Sequence, residues 1–221
     1  MPVDTVIFSG EGPHADPWHP LPETSARLAE LIGDAAVVTS VDRLATALEG
    51  TRLLVVNASA DRSTLLPEDE LFGHTLAGFL AGGGNLLAMH SATLAFPRLP
   101  SWRATIGASW EHGRSHHPPI GPFLARRTGV AHPLADGLGD IEVHDERYTD
   151  LRLVDGIDGE ALYAHEEGGV THPLVWARTL GPSRVVYSAL GHDTRSYESP
   201  GHLELLRRIT AWLRTGGDIR A

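Results

Sequence analysis

Apolar positions in the first ninety residues follow two alternating periods. Thr5–Ser9 (TVIFS) is a short continuous apolar run ending in the turn-rich SGEGPHADPWHP, and residues 22–32 then place Leu28, Leu31 and Ile32 at helical spacing. Residues 35–39 and Leu53–Asn57 (LLVVN) are further β-branched runs, with a short helical stretch over 42–48 between them. Residues 67–80 open on Pro67 at a first turn, with Glu68, Asp69 and Glu70 beside it, and carry Phe72, Leu76, Phe79 and Leu80 on one face. Gly82-Gly83-Gly84 ends that helix, and residues 86–90 (LLAMH) follow as a fourth buried strand. Such βαβα alternation with apolar strands predicts a parallel sheet covered by helices on both faces.

From about residue 105 to 175 the pattern changes. Residues 105–123 read as loop, and short alternating pieces over 141–144, 151–154 and 161–166 predict an antiparallel elaboration. Residues 184–190 (RVVYSAL) return as an apolar strand, and Leu203, Leu206, Ile209 and Leu213 put an amphipathic stripe on a closing helix. With no repeat and no linker, residues 1–221 are expected to form a single α/β domain.

In open parallel sheets ligands bind beyond the carboxyl ends of the strands, so the residues delivered there are the candidates. The first strand delivers Ser9, Glu11, His14 and His19, the third Asn57, the fourth His90, and the late strand Gly191, His192 and Asp193. His90 sits where a buried strand should turn into a helix. His192 is followed by a carboxylate that either holds its ring in one tautomer, the arrangement of a general acid or base near neutral pH, or caps the next helical turn beside a loop histidine. In Asp145-Glu146-Arg147-Tyr148 the adjacent carboxylates point to opposite faces, so at most one of them easily enters a given pocket: either Glu146 or Asp145 pairs with Tyr148 toward a ligand's hydroxyls, or the segment is arginine-paired surface charge. Trp110, Glu111, His112, His116 and His117 lie in the long 105–123 stretch and either line the site or are solvated; Trp18 and Trp110 are the tryptophans placed in polar loops.

Composition narrows the chemistry. The chain has no cysteine, and all 18 basic side chains are arginine. Thiol nucleophiles, cysteine-ligated metals, Schiff bases and a P-loop lysine are therefore excluded. A net charge of -10 opposes nucleic acid and anionic membrane as partners and favours a small neutral or polar ligand. No apolar run approaches the roughly 20 residues that span a bilayer, and the start MPVDTVIFSG has no basic leader region, so a cytoplasmic location is expected. Among 13 histidines there is no H-E-x-x-H pair. A divalent metal would have to be held by distant loops, for example His14 or His19 with His90 and His192; no cofactor follows from the sequence alone. A homodimer stays open.

Six pieces in order, GGGNLLAMHSA, W-x-x-x-x-G-A-S-W-E-H, AHPLADGL, DERY, HPLVWAR and YSALGHD, resemble the trehalose-utilisation, or ThuA-like, family across nearly the whole chain. That family is similar in fold to class I glutamine amidotransferases, which implies a flavodoxin-like, doubly wound, mainly parallel sheet. In those enzymes a cysteine occupies the strand-to-helix elbow and works with a late histidine. Here His90 takes the elbow and His192 stands about where the partner histidine would be, and imidazole cannot make a glutamyl thioester, so glutaminase activity is not expected. The resemblance implies carbohydrate metabolism, on trehalose, related disaccharides or 3-keto sugars. His90, His192 and Asp193 are then the expected catalytic residues of a sugar isomerase, lyase or hydrolase. His14, His19, Asn57, Trp110, Glu111, His112, Asp145, Glu146 and Tyr148 are expected to bind the small carbohydrate. The alternatives are a metal-dependent hydrolase using the same histidines and a non-catalytic sugar-binding module.

Overall fold

Four wholly apolar or nearly apolar segments in the first ninety residues become parallel strands, as their composition demands. In the computed structural model, which describes residues 3–215, the first half runs β1 (Thr5–Ser9), α1 (Leu21–Ile32), β2 (Ala35–Val38), α2 (Val41–Ala47), β3 (Leu53–Asn57), α3 (Pro67–Ala81) and β4 (Asn85–Met89). The second half runs α4 (Pro100–Ile106), β5 (Ala108–Ser109), β6 (Gly121–Arg127), β7 (Ile141–Asp145), β8 (Arg152–Leu153), α5 (Ile157–Glu160), β9 (Ala161–Glu167), β10 (Val170–Leu180), β11 (Ser183–Ser188) and α6 (Pro200–Thr215). Every residue of β1, β3 and β4 is buried, which suits strands with helices on both sides.

One nine-stranded sheet has the order β2-β1-β3-β4-β11-β10-β9-β6-β7, and β5 pairs with β8 in a separate ribbon. Strands β2, β1, β3, β4 and β11 are mutually parallel; β10, β9, β6 and β7 continue the sheet antiparallel. The chain steps outward from β1 to β2, then returns past β1 to β3. Right-handed crossovers therefore put α1 and α2 on opposite faces. Helix α6 joins α1 on one face, while α3 packs with α2 on the other. The reversal beside β1 is the topological switch point of a flavodoxin-like sheet, and ligands bind there at the carboxyl ends.

Two differences from the sequence pattern have physical causes. The 105–123 stretch holds the end of α4, all of β5 and the start of β6, elements too short to show a period. Strand β10 has no strand signature, yet at 11 residues it is the longest strand among the described residues. Pro173 interrupts it, and the pairing with β9 shifts register at Pro173 and Val175, a bulge that accommodates the missing N–H.

The antiparallel half does not stay flat. In a flat sheet, β7 would lie four strand spacings, about 19 Å, from β11. Instead it curls back: Ser199 Oγ donates to Glu142 O at 2.5 Å, and Asp145 reaches the backbone just beyond β11. No helix among the described residues is long and apolar enough to cross a membrane.

Candidate active site

Strand β4 ends at Met89, and His90 begins a 3₁₀ turn with φ +38°, the left-handed region that side-chain-bearing residues rarely adopt. Two bonds hold it there: its carbonyl accepts from Tyr187 Oη at 2.8 Å, and its Nδ1 lies 2.6 Å from Ala189 O. A carbonyl only accepts, so Nδ1 carries a proton and Nε2 is the nitrogen turned to the crevice.

His19 arrives on the loop after β1, organised by Asp16. That carboxylate accepts from the amides of Trp18 (2.9 Å) and His19 (3.0 Å), from Ser59 Oγ, and from His19 Nδ1 at 2.7 Å. Burial would raise the Asp16 carboxyl, but the His19 contact, Ser59 and the Trp18 amide outweigh it and hold it down to about 2. Burial lowers the His19 pKa, with His90 and His192 adding to it and Asp16 opposing. His19 too turns its Nε2 inward.

His192 follows Gly191, whose φ of +121° and whose neighbour Tyr197 Oη, 2.7 Å from where a Cβ would stand, require glycine. Asp145 fixes this turn: its carboxylate accepts from Gly191 N at 2.7 Å, His192 N at 3.1 Å and Ser196 Oγ. The next residue, Glu146, turns the other way, into the crevice. Its Oε2 lies 3.2 Å from His192 Nδ1, 3.3 Å from His90 Nε2 and 4.0 Å from His19 Nε2; Oε1 lies 3.4 Å from His117 Nε2. Burial works against the Glu146 carboxylate, but His192 and His90 overcome it and hold its pKa far below the ordinary range. Burial likewise disfavours protonated His192, yet Glu146, with Asp145 and Asp193 behind it, raises that histidine.

Tyr148 closes the crevice, its Oη 3.3 Å from His19 Nε2 and its ring centroid 4.4 Å from that of His90. Burial first, then the nearby Tyr187, Glu146 and Asp16, keep the phenol protonated. One donor atom each from His19, His90, Glu146 and His192 lies within 4.8 Å of all the others, a spacing that a metal ion can bridge. Beside this cluster a groove of about 550 Å³ is lined by Thr93, Trp102, Trp110, Glu111, His112 and Arg152. Trp110 connects the two, its ring 4.9 Å from Tyr148 and 6.0 Å from His117.

Of the residues expected from sequence, His19, His90, Glu146, Tyr148 and His192 thus converge, Trp110, Glu111 and His112 form the neighbouring groove, and Asp145 supports from behind. Three stand elsewhere. His14 packs its ring against Phe8 and Phe96 at 5.8 and 5.2 Å. The Asn57 amide is consumed by Leu21 O, Thr24 Oγ1 and Ser25 Oγ at 3.3, 2.9 and 2.9 Å, tying α1 to β3. Asp193 caps the following 3₁₀ turn and pairs with Arg195, so the carboxylate that faces His192 is Glu146 instead. Sequence reasoning passed over Asp16, although Asp three residues before a histidine in a tight loop is a signal for it, and left His117 undecided.

Solved structures with this fold include thua-like proteins from Parabacteroides merdae (19% identity, TM-score 0.76, covering 100% of this chain and 93% of that one) and Bacteroides uniformis (14%, 0.72, 95% and 90%). A β-galactosidase from the haloarchaeon Halorubrum lacusprofundi matches over 98% of this chain but 31% of its own, with 16% identity and a TM-score of 0.60. At these identities the likeness concerns the fold. No curated protein matches the chain. The family model for ThuA, described as trehalose utilisation, matches residues 5–213, and the chain belongs to that family.

Proposed function

We propose that this protein is an enzyme acting on a small carbohydrate, a disaccharide of the trehalose type or its 3-keto derivative, in the crevice of His19, His90, Glu146 and His192. One observation carries the reading: three imidazoles and a carboxylate from four distant segments meet at the carboxyl ends of the sheet, beside a groove faced by Trp110. The family's description supplies the substrate class. Glutaminase chemistry has no place here, since its nucleophile is a thiol and the chain has none.

The groups suit proton transfer at a sugar carbon next to a carbonyl, as in isomerisation, elimination or hydration. Glu146 stays ionised and faces His192 Nδ1 and His117 Nε2 at 3.2 and 3.4 Å. Tyr148, kept protonated, is a hydrogen-bond donor for charge developing on the sugar oxygen. Trp110 offers a face on which the ring that does not react can stack.

The test is a product assay on trehalose, related disaccharides and their 3-keto forms, with Glu146→Gln and His192→Gln alongside. Turnover of at least one sugar is expected, with both replacements lowering it by roughly 10² or more. Sugars that raise the melting temperature without any product would make the domain a binding module instead. Full turnover in both variants would remove the crevice from the chemistry.

A further inference from the structure

We infer that His19, His90, His192 and Glu146 hold one divalent first-row transition-metal ion, a site that rests on the crevice being the working site and deepens that reading. The reason is a set of buried ligand atoms that converge without aligned partners. His90 donates through Nδ1 to Ala189 O and His19 through Nδ1 to Asp16, so both turn Nε2, the nitrogen left free for a metal, toward the Glu146 carboxylate. His90 Nε2 and His192 Nδ1 are fully buried, and neither is aligned on any hydrogen-bond partner, although Glu146 Oε2 is within 3.3 and 3.2 Å. Buried polar atoms without an aligned partner are unfavourable; a cation at the point of convergence answers all of them. Tyr148 Oη, 3.3 Å from His19 Nε2, can satisfy at most one of these atoms.

The spacing agrees. Metal–ligand bonds of about 2.0–2.1 Å separate tetrahedral ligand atoms by about 3.3 Å. Glu146 Oε2 stands 3.2, 3.3 and 4.0 Å from the three nitrogens, so a small inward shift of His19 completes the set. Three imidazoles and one carboxylate select zinc, iron, nickel or copper over magnesium and calcium, which take oxygen ligands. Asp16 on His19 and the Ala189 carbonyl on His90 are the outer bonds that orient metal-binding histidines. His14, His112 and Asp193, in other surroundings, are not part of the set. An ion bound there would supply a Lewis acid for a sugar carbonyl or hydroxyl oxygen by taking that oxygen as a fifth ligand. His117 Nε2 stays 3.4 Å from the other oxygen, Oε1, of Glu146.

The experiment uses tag-free full-length protein. Elemental analysis after dialysis, calorimetric titration with Zn²⁺ and Ni²⁺, and the visible absorption of the Co²⁺-loaded protein report the site without reference to activity. About one ion per chain is expected, with no saturation by millimolar Mg²⁺ or Ca²⁺. Glu146→Gln and His90→Gln should each weaken Zn²⁺ binding at least ~100-fold, and Asp16→Asn, which acts through His19, by roughly 10–100-fold. His74→Gln, on the exposed face of α3, should bind as the parent does. Should the strained His90 position not tolerate glutamine, His192→Gln on its loop makes the same test. A parent protein that takes up neither Zn²⁺ nor Ni²⁺, or replacements that bind as tightly as the parent, overturns the site. Chelated protein that still turns over a sugar would overturn the metal but keep the carbohydrate reading; a bound ion with no sugar turned over or bound would do the reverse.

Discussion

At His90 the backbone leaves β4 in a left-handed conformation that costs on the order of 1–3 kcal/mol in a residue with a side chain. It persists because Tyr187 and Ala189 bind both its carbonyl and its ring. Asp145 has the same relation to His192: one buried carboxylate serves three backbone amides, of Glu146, Gly191 and His192, and the Ser196 hydroxyl. Asp145→Ala takes the acceptor from the three amides and leaves Ser196 Oγ with His202 Nδ1, 3.0 Å away, as its side-chain partner. We expect it to lower unfolding free energy by about 3 kcal/mol, read from the urea midpoint, and to reduce activity in parallel, since the 191–192 turn loses its anchor. The contrast with Glu146 was half legible in the sequence. Strand alternation says that the two carboxylates diverge, but not which one meets the histidines.

At the scale of elements, the strands deliver the chemistry and the helices hold the strands. The parallel strands could be read directly, because burial on both faces makes them continuously apolar. Strand β10 could not, since a proline and polar flanks hide it and only pairing with β9 and β11 on its two sides makes it a strand. Helix α6 is the clamp: it packs on β4 and on β7, so it joins the strand that supplies His90 to the one that supplies Glu146. Leu205, fully buried in α6, is expected to cost about 2–5 kcal/mol when replaced by alanine, with an unchanged denaturant slope if the two-state transition is preserved.

For the molecule as a whole, several histidines outside the crevice are buried and have lowered pKa values, His14, His165 and His202 among them; burial is the leading cause in each, with His172 and Arg147 adding to it at His165 and Asp145 opposing it at His202. Such groups bind more protons unfolded than folded. Their stabilising effect is therefore present above the unfolded value near 6.5 and is lost as pH falls through and below it, while His192, with a raised pKa, works in the opposite sense. The three outnumber the one, so the urea midpoint should fall between pH 7.5 and pH 5.5, at up to roughly 1.4 kcal/mol per pH unit for each histidine protonated on unfolding. A midpoint that rose on acidification would contradict this.

What the sequence determined by itself is local: which runs are strands, where the helices start and stop, that no thiol or lysine chemistry is available, and that histidines lie after several strand ends. Those features depend on period and composition within a few residues, and they sufficed for the doubly wound half of the fold. Tertiary structure decided which histidines meet. His14 and His19 leave the same strand, yet one packs among phenylalanines and the other turns inward on Asp16. Glu146 reaches them only because the antiparallel strands curl back by a distance that no pattern along the chain encodes, the twist and closure of a sheet being summed over all its strands.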